Sequence, residues 1–192
     1  IGHFVNDRMT HRPVFGFEIG HGWYKIQSHF VRLCGEGEPS CNVTNQPRID
    51  TNYRDRAYGA GGYLEDTVPL TPRWNITAGG RVDYFYPTRA LNWSPRLSTL
   101  FHLDDLQRIK AAYGYYYQWP NLEGEFIEGF GTPTIGSNRS IHYVTGYERQ
   151  LTPARDLDIQ LYYKEFDDLI VPSNTPGVIF NNDGVGYARG SE

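Results

Sequence analysis

The chain has 192 residues, with 18 Lys plus Arg against 22 Asp plus Glu, a net charge of −4 and a pI near 5.9. That balance argues against nucleic acid as a partner, because a chain held on phosphates is basic or carries a basic face. At 39% hydrophobic and 15% aromatic residues it is too apolar for disorder, and no apolar run reaches the about 18 residues that a membrane-spanning helix needs.

Fifteen Tyr, ten Phe and four Trp beside 21 Gly point to β structure, since rings favour pleated surfaces and Gly marks turns, bulges and close backbone approaches. The negative mean hydropathy is compatible with a transmembrane barrel, whose apolar face occupies every second residue. The opening IGHFVND lacks the basic and apolar regions of a signal peptide, and the closing GVGYARGSE stops within an alternating pattern. Both ends are expected to be cut, so that residues 1–192 form part of one domain.

The first alternating segment sets Phe15, Phe17, Ile19 and Trp23 against Glu18 and Gly20. A long connection follows over 28–57, then a segment from 59 that turns at Leu70-Thr71-Pro72-Arg73. In 74–85, Trp74, Ile76, Ala78, Val82 and Tyr84 oppose Asn75, Thr77, Arg81 and Asp83. A moderate loop covers 86–92, and a tight turn falls at Asp104-Asp105-Leu106-Gln107. Within 108–118, Ile109, Ala111, Tyr113, Tyr115 and Tyr117 oppose Lys110, Ala112, Gly114, Tyr116 and Gln118. Beyond a long loop at 119–138, Ile141, Tyr143 and Tyr147 oppose His142, Gly146 and Glu148. After the turn Thr152-Pro153-Ala154-Arg155, Leu157, Ile159, Leu161 and Tyr163 oppose Asp158, Gln160, Tyr162 and Lys164, and a last long loop spans 171–182.

Long or moderate connections thus alternate with short ones, as in an antiparallel meander with tight turns at one rim and extended loops at the other. About eight strands of ten or more residues are expected. Strands of soluble sandwiches run about 5–6 residues, whereas a tilted strand crossing a bilayer needs about 9–11. The strands expected here fit the second figure. Arg81, Asp83, Arg96, Lys110, Glu148, Asp158 and Lys164 then line a wet lumen, and Trp23, Trp74, Tyr84, Tyr86, Trp93, Tyr117 and Trp119 gather near segment ends, where interfacial girdles lie.

Five segments carry a family resemblance in order: GGYLEDTVPLTPRWNITAGGRVDYF, NWSPRLSTLFHL, IKAAYGYYYQWP, SIHYVTGYERQLTPARDLDIQLYYKEFDDLIV and NNDGVGYARGSE. Together they resemble the barrel of TonB-dependent outer-membrane receptors over 59–192, and more loosely over 13–27. Gly80-Arg81-Val82-Asp83 is similar to a family strand, Ser94-Pro95-Arg96 to a strand entry, and Asn182-Asp183-Gly184 with Gly186 to the family's Asn-x-Gly-x-Gly. Glu65 stands where the family often has Gln.

The resemblance implies an all-β, antiparallel up-and-down transmembrane barrel segment, open at both edges, supplying about eight strands of a barrel of about 22. It also implies a bacterial outer-membrane receptor taking up a scarce, bulky solute. An iron–siderophore is preferred over cobalamin or an oligosaccharide. Partners would be outer-membrane lipid, the small-molecule ligand, the remaining barrel strands, the receptor's own plug domain and the TonB energy-coupling protein. The plug, the N-terminal coupling motif and the C-terminal strand are expected to be absent from the chain. The rival readings are a small complete outer-membrane barrel with a structural or adhesive role, a soluble carbohydrate-binding β protein, and a larger barrel for passive diffusion.

No catalytic or nucleotide-binding motif occurs, and His3, His11, His21, His29, His102 and His142 lack metal spacing, so no enzyme activity, metal or cofactor is expected. Cys34 and Cys41 share the loop 28–57; in an oxidising compartment they form a disulfide, with free thiols or a metal pair as alternatives. Trp119, Phe126 and Phe130, with Arg48, Arg54 and Arg56 of the other large loop, are candidate ligand-binding residues: rings to stack and arginines to grip anions. The competing reading is that these loops pack on one another. The lumenal charges likewise either contact a plug or pair across strands. The sequons at Asn42, Asn75, Asn92 and Asn138 carry no glycosylation meaning in a bacterial membrane.

Overall fold

Alternation with a period of two requires extended backbone, and turns of two to four residues require each strand to pair with the next. The computed structural model, which describes residues 2–3, 11–31, 48–121, 124–127, 131–175 and 177–192, follows that rule throughout. The strands are β1 (Gly2–His3), β2 (Arg12–Val31), β3 (Arg48–Thr71), β4 (Trp74–Phe85), β5 (Ala90–His102), β6 (Gln107–Gln118), β7 (Asn138–Thr152), β8 (Arg155–Pro172) and β9 (Phe180–Ser191). They make one antiparallel sheet in sequence order, in which β1 and β9 do not join among the described residues. Eight strands have 12 residues or more, and β1 adds a two-residue ninth. This single open sheet is neither the closed eight-stranded barrel nor the pair of packed sheets that two rival readings require.

Tight turns at 72–73, 103–106 and 153–154 lie at one end of the sheet; the connections 86–89, 119–137 and 173–179 lie at the other. The loop expected over 28–57 is shorter than that, because β2 continues to Val31 and β3 begins at Arg48. Asp50, Asn52, Arg54, Asp55 and Arg56 put polar groups on both faces of β3, which reads as loop. Where a strand outruns the apolar layer both faces meet water, so alternation fades while the backbone ladder persists from Val31↔Arg48 to Arg12↔Thr67. Cys34 and Cys41 lie outside the described residues.

Register assigns every strand residue to one of two faces. The apolar face carries Phe17, Ile19, Leu64, Val82, Leu91, Trp93, Leu97, Ile159, Leu161 and Tyr187, all exposed, Phe17 at 82% and Ile19 at 78%. From Trp74 to Tyr84 the strand climbs ten residues, about 33 Å along its length. A tilt of about 40° reduces that to about 25 Å, the height of a barrel's lipid-facing band. Charged side chains do occur on this face: Asp66 accepts a hydrogen bond from His11 Nδ1 at 2.7 Å, Arg139 faces Asp167 and Asp168 at 3.4 and 3.3 Å, and Glu165 stands between Ile141 and Tyr187.

Burial is concentrated at the loop end of the polar face. Phe85, Phe126, Ile127 and Ile135 form the buried cluster, with Tyr24, Tyr53, Trp119, Ile170 and Phe180 packed around it.

Candidate functional site

Two features occupy the polar face: a band of charge along the strands and a loop folded over their ends. Arg81, Asp83, Arg96, Lys110, Glu148, Asp158 and Lys164 all stand on this face, because register links Gly79 to Arg96, Arg96 to Gly114, Lys110 to Gly146, Glu148 to Asp158 and His142 to Lys164. Most of that charge is internally matched. Arg81 donates to both carboxylate oxygens of Asp83, at 2.7 Å from Nε and 2.6 Å from Nη2, and reaches across β3 to Glu18 of β2. Lys110 bridges Glu148 at 2.6 Å and Asp158 at 2.9 Å, two acids that face each other across the ladder, and Arg108 also pairs with Glu148. Without these cations the opposed carboxylates would repel.

Arg96 and Lys164 are held differently. The Arg96 guanidinium lies 4.8 Å from the Tyr116 ring centre, Tyr116 in turn stacks on His142 at 4.3 Å, and the Lys164 ammonium sits 5.1 Å from Tyr162. These cation–π contacts leave both charges available to a further partner on the same face. At the turn end a hollow of about 470 Å³ is bordered by His102, Gln107, Arg108, Glu148, Asp156 and Asp158. No cluster able to hold a metal ion occurs among the described residues.

The connection between β6 and β7 covers the opposite end of this face. Trp119 stacks on Phe85 at 4.7 Å, and Phe126 meets the edges of Phe85 at 5.8 Å and Tyr24 at 6.2 Å. Trp119 lies where a side chain on Gly59 would be: a Cβ there would approach the indole to 2.6 Å. Polar groups fasten the rest. Asn92 Nδ2 donates to Ser137 Oγ at 2.8 Å, Thr132 Oγ1 to the Phe180 carbonyl at 2.7 Å, and Gly136 N to Asn182 Oδ1 at 2.8 Å. Ile170 N donates to Asn138 Oδ1 at 2.7 Å, and Asn121 N to Glu125 Oε2 at 2.7 Å.

Of the six candidate ligand-binding residues, those described are not brought together. Trp119 and Phe126 are anchors of this cap, with Phe126 5% exposed. Arg54 and Arg56 are strand residues of β3, opposite Lys25 and Trp23, on the apolar face of the sheet. Of Arg48 the structure describes the strand position alone, and Phe130 lies outside the described residues. Nothing in the sequence alone marks Asn92, Ser137, Asn138 and Asn182 as the residues that fasten this loop. Three of the four are Asn at the ends of loops, a position that the sequon reading hid at Asn92 and Asn138.

A sheet of this kind, apolar without and charged within, is the wall of a β-barrel. The family model for the TonB dependent receptor-like beta-barrel matches residues 3–192, and the chain belongs to that family. Among solved structures it is similar to the siderophore receptor PirA from Pseudomonas aeruginosa, at 18% identity and a TM-score of 0.66 over 94% of this chain and 32% of that one. A mutant ferric enterobactin receptor, PfeA, from the same organism aligns at 17% identity and a TM-score of 0.70 over 94% of this chain and 30% of that one. PirA from Acinetobacter baumannii aligns at 17% and 0.65 over 93% and 28%. The chain spans about a third of the length of these receptors, and likeness at this identity concerns the fold. No curated protein matches it.

Proposed function

We propose that this chain is part of the barrel wall of an outer-membrane receptor that takes up a scarce, bulky solute, with energy delivered through TonB. The observation that carries the reading is the two-faced sheet. Long strands leave a continuous row of exposed apolar side chains outside, while the opposite face holds matched charges and a folded loop over its mouth. Water rejects the first face and hydrocarbon rejects the second, so the sheet belongs at a bilayer with a wet interior.

In this reading the charged face lines the lumen, and Arg96 and Lys164, matched to rings rather than acids, are the cations offered to the plug. The two unpaired sheet edges join the remaining strands of a larger barrel. An iron–siderophore is the favoured cargo, supported by the siderophore and ferric enterobactin receptors whose folds resemble this one. The chain contributes no covalent chemistry; the work is binding and passage.

The test is uptake by cells expressing the complete receptor, supplied separately with labelled ferric siderophore, cobalamin and oligosaccharide. Accumulation of one solute that stops on adding an uncoupler is the expected result. Accumulation indifferent to the uncoupler would indicate a passive pore, and no accumulation of any solute would overturn the transport reading.

A further inference from the structure

On the apolar face, the rows of side chains across β2, β3 and β4 change character near the loop end. Phe17, Gly62 and Val82 form one row, and Ile19, Ala60 and Tyr84 the next. Then comes a row of rings, His21, Tyr58 and Tyr86, stacked at 6.2 and 4.1 Å. One step further stand Trp23 and Arg56, and after them Lys25 directly opposite Arg54. All three cations are exposed, and the Arg54 guanidinium lies 5.9 Å from the Trp23 ring centre.

Two cations set directly opposite each other repel, and a sheet ordinarily places an acid between them. None is present among the described residues. Asp55 is on the other face, where it accepts from Tyr53 Oη at 3.0 Å, and Asp50 is hydrogen-bonded to His29 Nδ1 at 2.7 Å. By contrast Arg139, on the same face at the loop end of β7, is matched by Asp167 and Asp168. β4 ends its ladder with β3 at Phe85, so no strand covers Arg54 and Arg56 from that side. Among the described residues, then, these three cations form a group that no carboxylate of the sheet completes.

We infer that Lys25, Arg54 and Arg56 form a binding site on the barrel's outer surface for the phosphate groups of an anionic membrane lipid. The inference rests on the outer-membrane reading above. Its position supports a lipid over a soluble anion: aromatic belts mark the headgroup level, and the three cations stand just beyond one, still on the lipid-facing side. Two guanidinium forks and an ammonium suit phosphate oxygens, which accept two parallel N–H bonds from each fork. Trp23 beneath Arg54 limits that side chain's freedom, so less order is lost when phosphate binds.

The experiment uses the complete receptor in phosphatidylcholine nanodiscs containing a diphosphorylated glycolipid, with bound lipid counted by native mass spectrometry. The native receptor should retain this lipid, and the combined Lys25→Gln, Arg54→Gln, Arg56→Gln variant should retain it about tenfold less. Arg139→Gln, a cation already matched on the same face, should leave retention unchanged. Heat-modifiable gel mobility confirms that each variant is folded. Equal retention by the triple variant, or of the same lipid stripped of its phosphates, would overturn the proposal. Displacement by millimolar inorganic phosphate would also overturn it, by identifying a soluble-anion site. A receptor that does not remain in the nanodisc at all would instead sink the outer-membrane reading on which the proposal stands.

Discussion

The two faces of this sheet are made from the same strands, yet they reach stability by opposite means. The polar face is largely self-sufficient: Arg81 holds Asp83 and Glu18, Lys110 holds Glu148 and Asp158, and the β6–β7 loop seals Phe85 beneath Trp119 and Phe126. The apolar face satisfies nothing on its own; Phe17, Ile19, Leu64, Leu91 and Val185 are each more than half exposed. One face can be understood from the chain alone, whereas the other is explained only by the solvent that it requires.

Substitutions at the capped mouth should produce the largest effect, since packing is densest there. Phe85→Ala removes the ring on which Trp119 and Phe126 rest and should cost about 3–5 kcal/mol, measured as denaturant unfolding of the receptor in micelles. An unchanged midpoint would mean that the cap contributes no stability. Next, Leu97→Arg, in the middle of the apolar face, should cost about 2–4 kcal/mol of folding into bilayers, because a charge meets hydrocarbon there. The same substitution one residue away, Ser98→Arg on the polar face, should cost well under half as much. Equal costs would erase the distinction between the faces.

A smaller effect belongs to the charge band. In a double-mutant cycle, Lys110→Met with Asp158→Asn should show a small favourable coupling that added salt weakens, as for exposed pairs. A coupling of zero would make this bridge incidental to stability.

The smallest effect lies in the turn at 103–106, outside either face. The Asp104 carboxylate accepts the Leu106 N–H at 2.8 Å and Gln107 Nε2 at 2.6 Å; the backbone bond foremost holds its pKa below the usual carboxylate range. A depressed folded pKa gives stabilisation that is complete above the ordinary carboxylate value and lost as pH falls through the lowered one. Melting temperature should therefore show a slight acid-side decline that Asp104→Asn lacks. Identical profiles for the two proteins would remove the turn from the pH dependence.

Legibility in the sequence followed the same division. β4, β6, β7 and β8 could be traced because their two faces meet different solvents, so Ile76 and Thr77, or Tyr113 and Gly114, differ in kind. The outer halves of β2 and β3 could not, since beyond the bilayer level Asp50 to Arg56 are polar on both sides although the ladder continues. That loss of contrast put Arg54 and Arg56 in a loop facing a ligand, when their register sets them on the outer face. The charged inner set was legible by parity, but its partners were not: that Lys110 bridges Glu148 and Asp158 depends on cross-strand register, which short-range pattern does not encode. Trp119 and Phe126 were visible as aromatic loop residues, but their packing on Phe85 is a tertiary contact that loop composition does not encode.

The central claim is that one face of each strand meets lipid and the other water. Spin labels placed singly at 74–85 along β4, in receptor lacking Cys34 and Cys41 and reconstituted in bilayers, test it most directly. Collision with oxygen should be high at Trp74, Ile76, Ala78, Val82 and Tyr84, and collision with a water-soluble nickel chelate high at Asn75, Thr77, Arg81 and Asp83. Accessibility to the chelate at both sets of positions, without a two-residue period, would contradict the account.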